Sequence, residues 1–250
     1  MGYVIAVAGK GGTGKTTLAA LFVRLLKEKK AGSILAVDAD PNSSLAEALG
    51  FEAKQTIGSI LDEVAAHPES VPAGMSKDRF VDYQVQSAVQ EGEGFDLLTM
   101  GKPEGPGCYC YVNNVLRGVV GKLVKDYDYV VIDNEAGLEH FSRRTTRQAD
   151  ALVVVSDPSS IGIKTAKRVR NLAKELKIQT EKNFLVINRG PGNAGKDILN
   201  GVDLEYIGSI PEDEEIKKIS LEGDSLFKLN ADAVSIAALR KIGEKIWHKS

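Results

Sequence analysis

The sequence predicts an α/β chain built on one doubly wound, mostly parallel sheet with helices on both faces. Three observations carry that expectation. Short β-rich runs alternate with helical patterns almost throughout, the order that produces parallel strands joined by helical crossovers. The first strand and helix are joined by a glycine-rich segment, Gly9-Lys10-Gly11-Gly12-Thr13-Gly14-Lys15-Thr16-Thr17, directly after the apolar run Val4 to Ala8. A later apolar run, Tyr129-Val130-Val131-Ile132, delivers a carboxylate, Asp133, at its end.

The elements follow in order. Tyr3–Ala8 is a strand, and Lys15 to about Lys29 is a helix, because Leu18, Leu21, Phe22, Leu25 and Leu26 recur at helical spacing. Ser33–Val37 is the second strand and ends at Asp38-Ala39-Asp40-Pro41. Proline disfavours a helical residue before it, which keeps Asp40 on a loop. From Asn42 to Gln90 short helices are expected around Ser44–Leu49, Ile57–Val64 and Arg79–Val89, without strand signals, and His67-Pro68 through Gly74 is turn chemistry. The stretch of about 42–94 therefore reads as a helical insertion. Phe95–Met100 is a strand, Gly101 to Val112 a glycine- and proline-rich loop holding both cysteines, and about Asn113 to Lys125 a helix.

After Tyr129–Ile132, a strand at Ala151–Ser156 leads to a helix from about Ser160 to Leu176, capped by Ser159 or Ser160. Asn183–Ile187 is a strand ending at Asn188-Arg189, Gly190 to Gly195 is a loop, and Tyr206–Ile210 is the last strand. A helix over Glu212–Ile219 follows Pro211. The closing helix, about Ala231 to Trp247, puts Val234, Ala238, Leu239, Ile242 and Ile246 on one face. No repeat, low-complexity tract or linker divides the chain, so a single domain over 1–250 is expected.

Composition narrows the function classes. The chain is 43% hydrophobic and 26% charged, an ordinary soluble globular balance. Its net charge of −2 argues against nucleic acid as the main partner, because phosphate backbones favour basic surfaces. The start shows no secretory signal and no apolar run reaches the roughly 18 residues of a membrane span. A cytoplasmic protein is expected, with Cys108 and Cys110 reduced.

The glycine-rich segment satisfies the phosphate-binding loop G-x-x-x-x-G-K-[ST] in the strand-to-helix context that loop requires. Glycines let backbone N–H groups close on phosphate oxygens, and the helix start adds its positive dipole end. Gly11, Gly12, Thr13, Gly14, Lys15, Thr16 and Thr17 are the expected nucleotide cradle, with Lys15 on the β- and γ-phosphates and the Thr16 hydroxyl on Mg²⁺. Asp133 is the expected second Mg²⁺ residue, direct or through water.

Lys10, a second lysine inside the loop, gives GKGGTGKTT, which resembles the deviant loop of the MinD/ArsA/nitrogenase-iron-protein class of dimeric ATPases. The resemblance implies a P-loop ATPase fold of MinD type and a homodimer in which Lys10 reaches the phosphates held by the partner chain. Asp133-x-x-x-Gly137 resembles that class's second switch. Asp38 and Asp40 resemble its first-switch aspartates, which implies that Asp40 orients or deprotonates the attacking water and that Asp38 supports Mg²⁺; a turn or cap role is the alternative for both. Asn188 and Arg189 resemble the adenine-contacting position and Pro211 the neighbouring wall. ATP is expected over GTP, since no guanine-reading Asn-Lys-x-Asp is present.

Gly105-Pro106-Gly107-Cys108-Tyr109-Cys110 carries the other strong chemistry. In an extended segment residues i and i+2 face one side, so two thiolates can meet one metal. Zinc prefers four ligands, which two copies of the chain would supply around a two-fold axis. A redox pair or inert thiols remain open on spacing alone. The combined motifs, including Asp133-Asn134-Glu135-Ala136-Gly137-Leu138-Glu139-His140, resemble the CooC/AcsF family of nickel-insertion ATPases. That resemblance implies an ATP-hydrolysing nickel chaperone whose dimer binds one Ni²⁺ through Cys108 and Cys110 of each chain, for delivery to carbon monoxide dehydrogenase or acetyl-CoA synthase. Zn²⁺ fits the same thiolates. The roles of Glu135 and His140 stay open. The alternatives are a MinD/ParA-like positioning ATPase, for which Lys241, Lys245, Trp247 and Lys249 could form a membrane-seeking face, and an iron–sulfur carrier.

Overall fold

The computed structural model describes residues 2–102, 109–135, 148–190 and 203–247. Among them are eight strands, β1 (Tyr3–Gly9), β2 (Ile34–Ala39), β3 (Gln90–Gly92), β4 (Phe95–Thr99), β5 (Tyr129–Asn134), β6 (Gln148–Ser156), β7 (Gln179–Asn188) and β8 (Glu205–Ile210). The α-helices are α1 (Lys15–Glu28), α2 (Ser44–Leu49), α3 (Ile57–Ala66), α4 (Lys77–Ser87), α5 (Tyr109–Leu123), α6 (Ser160–Glu175), α7 (Glu214–Glu222) and α8 (Val234–Ile246). The strands form one sheet in the order β3-β4-β2-β5-β1-β6-β7-β8. Every pairing is parallel except β3 with β4.

β1 lies between β5 and β6, so chain order reverses on its two sides. The crevice beyond the carboxyl end of such a strand is where open α/β sheets bind ligands. Along β1 the side chains alternate between two cores, as strand geometry dictates. Val4, Ala6 and Ala8 join a cluster with residues of α3, α4, α5 and α6, while Ile5 and Val7 join one with α1, α2, α7 and α8. Both faces are covered, which is why the central strands read as continuous apolar runs.

α1 buries Leu18, Leu21, Phe22, Leu25 and Leu26. α8 closes the same face through Ile236, Leu239, Ile242 and Ile246, and Trp247 meets Phe22 edge-on with ring centroids 5.5 Å apart. The apolar face of α8 is therefore covered within the molecule except at Val234, which was expected on that face but opens the helix 59% exposed. No helix among the described residues is long and apolar enough to cross a membrane.

Two expectations change. The stretch read as purely helical from Asn42 to Gln90 ends in an edge strand, β3, paired antiparallel with β4 from Gln90↔Leu97 to Gly92↔Phe95. Three polar or glycine residues carry no β pattern, and only the hairpin to β4 makes them a strand. The helix expected from Asn113 starts at Tyr109 instead, so Cys110 has helical backbone in its first turn. Cys110 is thus not in an extended segment. Cys108, just before that helix, lies outside the described residues.

Candidate nucleotide site

β1 ends at Gly9, packed so tightly against β6 that a Cβ there would collide with the carbonyl oxygen of Val155. The chain then turns through Gly12 (φ 77°) and Gly14 (φ 88°), both left-handed, a conformation glycine adopts without the cost of a side chain. The loop is closed by its own threonine: the Thr13 hydroxyl donates to the carbonyl oxygen of Lys10 at 2.8 Å. Lys15 opens α1 with its ammonium 3.4 Å from that same carbonyl. Lys10, Gly11 and Gly12 are exposed, whereas Thr13 and Lys15 are buried. The two lysines are thus sorted by the loop, one inside the cradle and one outside it.

Burial pushes the Lys15 pKa down, and the charges of Asp133, Asp40 and Glu135 act against that shift. These carboxylates offset part of the cost of burying the Lys15 charge. The Thr16 hydroxyl donates to Asp133 Oδ2 at 2.6 Å, and Asp133 Oδ1 is buried with no hydrogen-bond partner. Burial raises the Asp133 pKa to about 6, opposed by the Thr16 bond and Lys15. A hydroxyl, an unpartnered buried carboxylate oxygen and nearby acid form a hard oxygen donor set, which fits Mg²⁺. When bound there with nucleotide, Mg²⁺ would neutralise charge on the terminal phosphate oxygens.

Asp38 stands in register with Asp133 on β5 and with Thr99 on β4. It is fully buried, and burial followed by the Asp133 charge raises its pKa to about 7. Its carboxylate accepts the backbone N–H groups of Asp40 (3.1 Å), Leu45 (2.8 Å) and Ala46 (3.3 Å). Those contacts cap the start of α2. Asp40 is less buried and accepts from Asn42 through its backbone N–H (2.8 Å) and its side-chain amide (2.9 Å). Asn134, quoted in the 133–140 motif but given no role there, is buried and donates from Nδ2 to the Val7 carbonyl at 2.8 Å, tying β5 to β1 beneath the loop.

On the far side of the loop, Asn188 and Arg189 close over it from the end of β7. Asn188 Nδ2 donates to the Thr13 carbonyl at 2.8 Å, and its Oδ1 accepts the Arg189 N–H at 3.0 Å. Arg189 donates to the Gly12 carbonyl. A Cβ on Gly14 would strike Asn188 Nδ2, so glycine at position 14 is required by this clamp as well as by its φ. The Asn188 amide expected to read adenine therefore has its oxygen and one N–H engaged by the protein. Beside it opens a cavity of about 430 Å³ whose walls include Thr17, Leu18, Pro211, Ile216 and Lys217. The position is that of a base pocket next to a phosphate cradle. The α7 wall was missed in the sequence because it contributes ordinary amphipathic-helix residues without a motif. Asp213 caps α7, accepting the Glu215 N–H at 3.0 Å, and takes the Ser235 hydroxyl at 2.6 Å, which pins that wall to α8.

The family model described as the CobQ/CobB/MinD/ParA nucleotide binding domain matches residues 4–226. The chain belongs to the MinD/ParA family of P-loop ATPases. An uncharacterized ATP-binding protein of Methanocaldococcus jannaschii is 42% identical over 98% of this chain and 99% of its own. The carbon monoxide dehydrogenase accessory protein CooC of Rhodospirillum rubrum is 31% identical, covering 96% of this chain and 97% of its own. Among solved structures, septum site-determining protein MinD of Pyrococcus horikoshii, complexed with Mg-ADP, has a TM-score of 0.74 at 22% identity over 99% of this chain and 97% of that one; that likeness is one of fold.

In this MinD/ParA-family ATPase the tertiary structure gathers Lys15, Thr16, Asp38, Asp40 and Asp133 at the carboxyl ends of β1, β2 and β5. Asn188, Arg189 and Pro211 gather at the ends of β7 and β8. Lys10 stays apart and exposed, within electrostatic reach of Asp157 after β6. Gly137, Glu139 and His140 lie outside the described residues, as does Cys108. Among the described residues no cluster of three or more His, Cys, Asp and Glu is placed to hold a metal.

Proposed function

We propose that this ATPase is a nickel chaperone: a homodimer that binds one Ni²⁺ through Cys108 and Cys110 of both chains and couples ATP hydrolysis to its delivery to carbon monoxide dehydrogenase or acetyl-CoA synthase. The observation that carries the reading is where the strand preceding the cysteine pair in the sequence ends. β4 runs beside β2, and the Met100 N–H at its end donates to the Asp38 carbonyl at 2.8 Å. In the sequence Cys108 follows eight residues later, and Cys110 lies in the first turn of α5. A change at Asp38 and Asp40 on ATP loss thus has a direct backbone route to the metal-bearing segment. The full-length likeness to CooC at 31% identity supports the same client class.

In the hydrolytic half, Lys15 holds the transferring phosphate's charge, Thr16 and Asp133 hold Mg²⁺, and Asp40 orients the attacking water. Lys10, exposed on the loop, completes the site of the partner chain, so turnover depends on dimer closure as it does with an arginine finger. Nickel is the cargo, and each chain supplies half of its thiolate set. A four-thiolate site accepts Zn²⁺ as well, so selectivity is measured rather than assumed.

The test is an equilibrium Ni²⁺ titration of the whole protein, with mass measurement, in the presence and absence of ATP and with Zn²⁺ as competitor. One Ni²⁺ per two chains is expected, with affinity that changes with nucleotide, and Cys108→Ala or Cys110→Ala should abolish it. Unchanged Ni²⁺ affinity in both variants would sink the proposal. The positioning-ATPase reading is less well supported, because Trp247, the apolar member of the face it needs, is buried against Phe22 of α1, although Lys241 and Lys245 stand exposed.

A further inference from the structure

The role of Asp38 is legible from its surroundings. α2 lacks a cap of its own: the residue before it, Ser43, sits at φ 58° and makes no side-chain cap hydrogen bond. The two N–H groups that such a cap would satisfy, those of Leu45 and Ala46, go to Asp38 Oδ2 instead. The other oxygen takes the N–H of Asp40. One carboxylate therefore grips both ends of the loop that carries Asp40. Inside that loop the Ser43 N–H donates to the Asp40 carbonyl at 3.1 Å, and the Asp40 carboxylate is turned by Asn42. The grip is rigid because Asp38 stands on β2, flanked in register by β4 and β5.

We propose that Asp38 is a positioning residue for ATP hydrolysis, holding Asp40 at the phosphate site through the 40–46 backbone, and that it is not a ligand of Mg²⁺. Both of its oxygens already face N–H donors, and a cation in their place would release the start of α2. This inference rests on the role given to Asp40 above. It differs from the family-based expectation that Asp38 supports the metal, and the two make opposite demands on Mg²⁺ dependence.

A double-mutant cycle in the full-length protein separates them. Asp40→Asn should lower kcat about a hundredfold, in the range for loss of a general base or water-orienting group. Asp38→Asn keeps an acceptor for Leu45 and Ala46 but turns a donor toward the Asp40 N–H; it should lower kcat about tenfold, with the KM for ATP and the Mg²⁺ activation constant held within about twofold. Because Asp38 acts through Asp40, the double variant should match Asp40→Asn within about twofold. Losses that multiply, or an Mg²⁺ activation constant raised about tenfold in Asp38→Asn, overturn the proposal. Normal turnover in Asp40→Asn overturns it too, and marks the failure as that of Asp40's role. Amide exchange keeps the test decisive when turnover is too low to measure: Asp38→Asn should speed exchange at Asp40, while β1 and β5 keep their protection. Unaltered exchange at Asp40 overturns the inference.

Discussion

Asp133 meets Thr16 through one oxygen and leaves the other buried without a partner. A carboxylate in that position is costly to ionise in the folded chain, which is why its pKa rises to about 6. The sign follows from linkage. The folded state binds a proton where the unfolded chain has released it, so the contribution to stability is full below the unfolded pKa and is lost as pH rises through the folded one. Asp133→Asn should therefore raise the Tm of the nucleotide-free protein at about pH 7.5, with the gain fading below about pH 5, while it abolishes ATP turnover. Thermal melts across that pH range check the first half, and phosphate release the second. No gain at neutral pH would mean that Asp133 is already compensated in the folded protein. Lys15, with its pKa lowered by the same burial, is poised to recover charge stabilisation from a bound phosphate rather than from solvent.

The elements around the pocket are fixed by caps as much as by apolar packing. Asp213 holds the start of α7 and the buried Ser235 of α8 in one carboxylate. Removing it leaves the α7 N–H and the Ser235 hydroxyl short of an acceptor, so Asp213→Ala should destabilise the fold by about 2 kcal/mol. Since α7 walls the 430 Å³ cavity, ATP affinity should fall more than kcat; calorimetry and steady-state kinetics on one preparation distinguish the two. On the opposite edge of that layer, Trp247 is the chain's single tryptophan, and its fluorescence reports on α8 docking. Trp247→Ala should cost about 3–5 kcal/mol by opening a cavity against Phe22. Gly243 shows how close the fit is, because a Cβ there would enter the indole ring. Denaturant unfolding followed by circular dichroism measures the cost in the variant that has lost the fluorophore.

At the scale of the whole molecule, one lysine of the loop is enclosed and the other stands in solvent. In the proposed dimer Lys15 serves the chain that carries it, and Lys10, exposed on the loop, serves the other. Lys10→Ala should therefore leave ATP affinity within about twofold and lower kcat by about 10³-fold, the scale of a charge delivered in trans. Mixing that variant with excess Lys15→Ala chains should restore part of the turnover, since each mixed dimer can assemble one complete site. Absence of any complementation, with dimers present by sedimentation, would assign Lys10 to its own chain.

The alternation of strands and helices, the phosphate loop and the acidic strand ends at Asp38 and Asp133 were all readable in the sequence. Each is a local pattern: a period of side-chain burial, a glycine where φ turns positive, or a charge where an apolar run stops. A serine cap for α6, at 159 or 160, was readable for the same reason, and it is Ser159 that accepts the Gly162 N–H at 3.0 Å. What local pattern does not contain is the partner of each polar group. β3 exists only because β4 pairs with it, and α5 begins four residues before its expected start because Tyr109 to Val112 take helical backbone without a capping signal. Asn188 looked like a residue aimed at a base, yet 175 positions separate it from the Thr13 carbonyl it binds. Asp38 likewise looked like its neighbour Asp40 until the fold placed the first turn of α2 against it. Sequence alone determined which residues could carry charge to the end of β1; only the tertiary structure decided which of them is enclosed, which stands in solvent and which is taken up by backbone N–H groups, because hydrogen bonds between distant segments depend on strand order and register.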